Sequence, residues 1–355
     1  MRWVVGEAWR DVRSGTAHAL RSTLALALLV GSAAVVDVAG VDALLVRGAE
    51  FRDAGASVLT VEAPGAIDGG TCDALARLPG VRAAGALRQA AEPLAPATLP
   101  RGPVAAYLVS PGAPALLRAD DSGSAGVLLA SDAAAALGVG TGDRLVLDGT
   151  PTTVRGTYVW PDDGRRPGYA YAALLPATRA DPYDACWVDA YPAPAGLAAL
   201  ARLAVLPAGD EQAAPVVVSQ LNTTLGTTFD GVQAHAGRAT RHAVWLSVAG
   251  GALLGFAGVR ARRLELAAAR HVGVTAPAQH LLLLLEGLAS VLPAGVLVAA
   301  AVAVQVVTGT GEDPAALVRT AVHVAAPGLA AALLGAQVAA ALTRESHLFR
   351  YFRTR

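Results

Sequence analysis

The sequence predicts a membrane protein: four transmembrane α-helices, with an α+β extracytoplasmic domain inserted between helices 1 and 2. Three observations predict it. Four long apolar stretches punctuate the chain, and three arginine-rich segments fall on one side of them. Between the first two stretches lies a long region of short strand-like and helix-like pieces. Composition agrees, with 54% hydrophobic and 16% charged residues and a mean hydropathy of +0.46. That balance suits apolar spans joined to a water-exposed part.

The first segment, residues 1–18, is a cytoplasmic or interfacial N-terminal piece, in which Trp3, Val5, Trp9 and Val12 form one helix face. Residues 19–45 form the first transmembrane helix and a stalk. Its apolar part, Ala19–Val36, would span about 27 Å as a helix, close to a hydrocarbon core of about 30 Å. Asp37 and Asp42 then sit at or beyond the outer interface. The other reading of this segment is a cleaved signal peptide. Its long front, carrying two acids and two tryptophans, argues against that.

Residues 46–241 form the extracytoplasmic domain. Ser57–Glu62, Val104–Ser110, Tyr169–Leu175 and Cys186–Ala190 read as strands. Thr71–Leu78 and Ala195–Leu206 read as helices, the first capped by Thr71 and closed by Pro79–Gly80. Gly126–Trp160 reads as a strand, a helix from Ser131 and two strands joined around Asp148–Gly149, a hairpin signal. Cys72 and Cys186 are the only cysteines. Two readings stand for them: a disulfide, or two separately buried thiols. They lack the further ligands zinc needs.

Residues 242–342 carry helices 2–4, at about 243–259, 281–307 and 321–342, with a cytoplasmic segment at 260–280. Small residues crowd these spans, which suits close packing in lipid. Pro293 and Gly295 predict a kink. Residues 343–355 are a cytoplasmic tail. The basic groups are Arg2, Arg10, Arg13 and Arg21; Arg260, Arg262, Arg263 and Arg270; and Arg344, Arg350, Arg353 and Arg355. They put both termini in the cytoplasm by the positive-inside rule.

Several functions are excluded. Basic and acidic residues balance at 28 each, so no field favours nucleic acid. All the basic residues are arginine, which removes the lysine of a phosphate-binding loop. HExxH, GxSxG and CxxC are absent. No catalytic, cofactor or metal residue is assigned. Asp120–Asp121 and Asp162–Asp163 read as solvated loop acids. Asn222–Thr223–Thr224 matches a glycosylation pattern that also arises by chance. Glu286 lies within an apolar span. It is either a functional intramembrane carboxylate or, as its place near the inner end favours, a residue near the inner interface, bonded to a neighbouring helix or reaching the headgroups.

Arg260–Leu288 reads RARRLELAAARHVGVTAPAQHLLLLLEGL. It resembles the cytoplasmic link of MacB-like and FtsX-like permease subunits of ABC transporters, whose pattern is roughly RRxEIGxLRALGAS, then RQ and a helix beginning LLLE. Arg262, Arg263, Glu265, Arg270, Gly273, Thr275, Gln279 and Glu286 fall on matching residue types. His271, Pro277 and one extra residue before Gln279 depart from it. VLLASDAAAALGVGTGDRLVLDGTPTTVRGTYV is similar to the periplasmic core domain of such permeases, and Asp73–Ala84 resembles its early helix–PGV–strand unit. The resemblance implies a non-catalytic permease of the mechanotransmission type, dimeric (homo- or hetero-), in the cell membrane and in contact with its lipid. A separate ABC ATPase would bind the ATP and dock on Arg262, Arg263, Glu265, Arg270, Gly273, Thr275 and Gln279. The outputs implied are export of a peptide, antibiotic or lipid, lipoprotein extraction, or control of a cell-wall hydrolase. The alternative is an ATPase-independent sensor or scaffold binding an extracellular ligand or protein.

Overall fold

A computed structural model describes residues 2–177, 182–207, 215–309 and 312–344. The tail from residue 345 onward, with Arg350, Arg353 and Arg355, lies outside the described residues. The chain forms two compact units, residues 48–230 and residues 1–47 with 231–355. It opens with α1 (Arg2–Ser14) and α2 (Ala19–Asp53). The stalk expected to end near residue 45 is longer, because α2 runs unbroken to Asp53.

The unit of residues 48–230 is built on a mixed sheet. Its elements in chain order are β1 (Val58–Ile67), α3 (Gly69–Ala74), β2 (Val81–Gln89), β3 (Ala105–Val109), α4 (Ala113–Leu116) and β4 (Asp120–Asp121). Then come β5 (Val127–Ala130), α5 (Ser131–Leu137), β6 (Arg144–Leu147), β7 (Thr150–Tyr158), β8 (Ala172–Pro176), β9 (Tyr183–Ala190), α6 (Leu197–Ala201) and β10 (Val217–Gln220). The strand order is β10-β1-β9-β2-β3-β8-β5-β7-β4, with β6 paired to β7. β3–β8 and β5–β7 are parallel; the other pairs are antiparallel.

Strand alternation divides the apolar residues between two cores. Central β9 sends Ala185 and Trp187 into one, with Tyr107, Leu128 and Tyr158. It sends Cys186 and Val188 into the other, with Val61, Ile67 and Leu197. The turn between β6 and β7 places Asp148 and Gly149 at positive φ, 48° and 76°, as a tight hairpin requires. Several expectations change in detail. Asp68, not Thr71, caps α3: its carboxylate accepts from the Thr71 amide at 2.8 Å and from the Thr71 hydroxyl at 2.5 Å. Those bonds hold its pKa below the usual carboxylate value. Asp120 and Asp121 form a short edge strand rather than a loop, and Asp121 pairs with Arg155. Asn222 is fully buried, with its amide nitrogen bonded to the Ala54 and Asp163 carbonyls, so it cannot present a glycosylation site.

Cys72 on α3 is bonded to Cys186 on β9, and both are fully buried. The bond closes a loop across 114 positions. Chain entropy alone gives such a loop about 4–5 kcal/mol, with measured losses of about 2–5. Replacing both cysteines by alanine should lower the melting temperature by roughly 5–15 °C. Differential scanning of oxidised wild type against the double variant checks this, and coincident transitions would refute it.

The remaining elements are α7 (Gly231–Ala236), α8 (Ala243–Ala261), α9 (Arg263–His271), α10 (Ala276–Thr308) and α11 (Pro314–Ala341). Among the described residues, four helical segments, at α2, residues 239–261, α10 and α11, are long and apolar enough to cross a membrane. α10 continues through Pro293 as one helix. α8 and α11 meet along a seam of small residues: Ser247, Gly251 and Gly255 on one side, Gly328, Ala332 and Gly335 on the other. The four-residue spacing of 247, 251 and 255 keeps all three on one face. Contact is backbone to backbone, so a Cβ on Gly255 would lie 1.9 Å from the Ala332 carbonyl oxygen. Without a large side chain between them, the axes approach closely and the two backbones gain dispersion contacts along the seam.

Candidate functional site

The chemistry of the helical unit gathers around α9. α8 ends at Ala261, and Arg262 joins it to α9. The Arg262 guanidinium donates to Glu286 on α10 at 2.6 Å and to both oxygens of Glu265 at 2.8 and 3.1 Å. Asp11 on α1 stands 3.8 Å from it. Arg262 is therefore a hub between α1, α9 and α10, with its side chain only 10% exposed. A planar group with five donors suits a site where several carboxylates converge.

Arg270 holds the other end of α9. It donates to Gln279 at 2.5 Å and to the carbonyls of Thr343 and Ala340 at 2.6 and 3.2 Å. It thereby satisfies the carbonyls left open at the end of α11. Gln279 is almost fully buried and donates to the Leu266 carbonyl at 2.9 Å. Leu266 and Ala267 face inward from α9.

The turn after α9 is built by Gly273 at φ +100°. The Val274 amide bonds back to the Ala269 carbonyl and the Gly273 amide to that of Arg270, the paired bonds of a Schellman close. Thr275 then starts α10, with Pro277 in its first turn, where no amide is needed. Pro277 therefore begins a helix here rather than interrupting one.

The residues singled out in the sequence thus separate into two groups. Arg262, Arg270, Gln279 and Glu286 are turned inward and bonded to other helices. Glu265, Gly273 and Thr275 are exposed, together with Val272 at 82% exposure, while Arg263 is half-buried. Val272 was not singled out, although the local signal, an apolar residue beside a closing glycine, is in the sequence.

A second inward pair was also missed. Arg238 donates to Asp37 on α2 at 2.9 Å. Asp37, expected at the outer interface, is buried, because Arg238 supplies the counter-charge that lets it leave water. His280 and Gln337 join α10 to α11 at 2.7 Å.

The sheet unit holds a cavity of about 310 Å³ lined by Arg118, Arg165, Asp53 and Trp160. Its charges are largely matched: Arg118 pairs with Asp53, and Arg165 with Asp163, whose pKa it holds low. Among the described residues, no group of three His, Cys, Asp or Glu is placed to hold a metal.

No family model matches this chain, and no curated protein matches it. Among solved structures it is similar to the periplasmic region of MacB from Actinobacillus actinomycetemcomitans. That match has 10% identity and a TM-score of 0.33, covering 43% of this chain and 85% of the other. It is also similar to the extracellular domain of the noncanonic ABC-type transporter YknZ from Gram-positive bacteria. There the identity is 12% and the TM-score 0.32, covering 46% of this chain and all of the other. At this level of likeness, the function rests on the geometry of the chain itself.

Proposed function

We propose that the chain is the permease subunit of an ABC transporter, with the α9 turn as the seat of a separate ATPase. One observation carries the reading. A short amphipathic helix is clamped by arginines at both ends, against α10 at one and α10 and α11 at the other, while the turn that follows it is left open. A helix held this firmly passes a push at its tip to the bundle, whereas an ordinary positive-inside loop needs no such anchorage. The arginine pattern of Arg260–Leu288 points the same way. In this reading Arg262, Arg270 and Gln279 are positioning residues, Glu286 and the half-buried Arg263 support them, and the partner touches Val272, Gly273, Thr275 and Glu265. The four spans lie in the cell membrane with the termini and α9 in the cytoplasm. Residues 46–241 lie outside and move when the partner hydrolyses ATP. A permease dimer completes the assembly.

Tagged full-length protein purified from its own membranes in mild detergent tests this. A Walker-type ATPase is expected to co-purify in near-stoichiometric amount. Val272→Glu should abolish co-purification while leaving the melting temperature unchanged, because this side chain is 82% exposed. Recovery of wild-type protein without any ATPase, with nucleotide and crosslinker present, would sink the proposal and favour an ATPase-independent sensor or scaffold.

A further inference from the structure

A groove of about 290 Å³ opens between α2, α8, α10 and α11, at the end of the bundle where Arg262 lies. Most of its wall is apolar, with Leu26, Leu254 and Leu283 among the lining residues. Its polar groups are few: His18 and Arg21 stand at one side, and Arg262, which also lines the groove, is bonded to Glu286 at the other. His18 and Arg21 line it from the start of α2, and both are exposed. Among the described residues, Arg21 has no carboxylate within ion-pair reach. Glu286 lines the groove from α10 and is 6% exposed. One of its oxygens accepts from Arg262; the other, Oε1, meets no donor.

Three carboxylates, Asp11, Glu265 and Glu286, share the single guanidinium of Arg262. A buried acceptor in such a cluster calls for a further cationic donor. The basic rim calls for an anion. The apolar wall calls for hydrocarbon. One ligand class carries all three: a phospholipid whose headgroup holds a phosphate and a primary amine.

We infer that this groove is a binding site for an aminophospholipid, with the amine donating to Glu286 Oε1 and the phosphate against Arg21 and His18. The volume lies just below the usual range of small-molecule sites, about 300–1,000 Å³, so it takes the headgroup and the start of one chain. Ser22 and Ser290 also line the groove and offer hydroxyls there. The inference rests on the membrane placement proposed above, but not on the ATPase.

The test is lipid retention by the full-length protein. It is extracted in mild detergent from membranes containing phosphatidylethanolamine and phosphatidylglycerol, and the bound lipid is measured by mass spectrometry. Phosphatidylethanolamine should be enriched several-fold over the bulk membrane. Ser22→Leu fills the groove without touching an ion pair and should remove the enrichment. Glu286→Gln should also remove it, and Arg21→Ala should weaken it. Melting temperatures measured alongside separate lost binding from lost folding. Equal enrichment in wild type and Ser22→Leu, or enrichment of phosphatidylglycerol instead, would overturn the site. Absence of a co-purifying ATPase leaves these lipid measurements intact, so the two proposals fail separately. Recovery of the chain in the soluble fraction without detergent would overturn the membrane reading and this site together.

Discussion

Gly255→Ala should disrupt the helical unit, while Gly258→Ala should not. The two glycines lie one turn apart on α8. A Cβ at Gly258 meets nothing within 4 Å, whereas at Gly255 it would stand 1.9 Å from the Ala332 carbonyl oxygen. Real Cβ atoms do not approach below 3.0 Å, so α8 and α11 would have to part by about 1 Å. That movement loosens the seam along its whole length, since Gly251, Gly328 and Gly335 are as tightly placed. Overpacking of this kind costs about 1–3 kcal/mol. At Gly258 the same change removes backbone entropy and is worth about 0.5–1 kcal/mol in the other direction. The two substitutions therefore differ in sign. Thermal unfolding in detergent, with size-exclusion profiles, measures both. Equal melting temperatures would mean that the seam is not packed as described.

Arg262→Ala is expected to cost more than any other single substitution in the hub, about 3–5 kcal/mol, because it leaves Glu286 buried without a counter-charge. Arg262→Met combined with Glu286→Leu should recover most of that loss. The pair is desolvated, and apolar residues of similar volume replace such pairs at little cost. Glu265 remains 57% exposed and can turn to water. A double-mutant cycle on melting temperature gives the coupling. Additive losses from the two positions would show that they do not act as a pair.

Apolar length was the most legible feature of the sequence. Span, helix and hairpin positions depend on local runs, and 19–36, 243–259 and Asp148–Gly149 each carry their signal within a few residues. The α3 cap was placed three residues late because Thr71 and Asp68 both suit such a position; only the accepted bonds decide between them. The ion pairs left no local trace. Arg262 and Glu286 are 24 positions apart, and Asp37 and Arg238 are 201 apart. Asp37 and Arg238 each read alone as ordinary charged residues near a span end; Arg262 and Glu286 stood out singly, but nothing local paired them. The pairing of α8 with α11 was illegible for a similar reason: small residues crowd all of the last three spans, and nothing local says which faces meet. At the candidate site, the arginine spacing marked the right segment but not its orientation. Residues alike in sequence therefore divide into those bonded inward and those presented outward.

Arg270 ties these features together. Its bonds to the Ala340 and Thr343 carbonyls make the last turn of α11 and the seat of α9 parts of one equilibrium. Whatever binds the α9 turn and prefers one setting of that clamp must shift the packing of α11 by the same free energy. By reciprocity, a change in the α8–α11 seam that favours one setting of that clamp would change the affinity of such a ligand. The clamp is in that sense a two-way gauge, on which each end of the helical unit registers the state of the other.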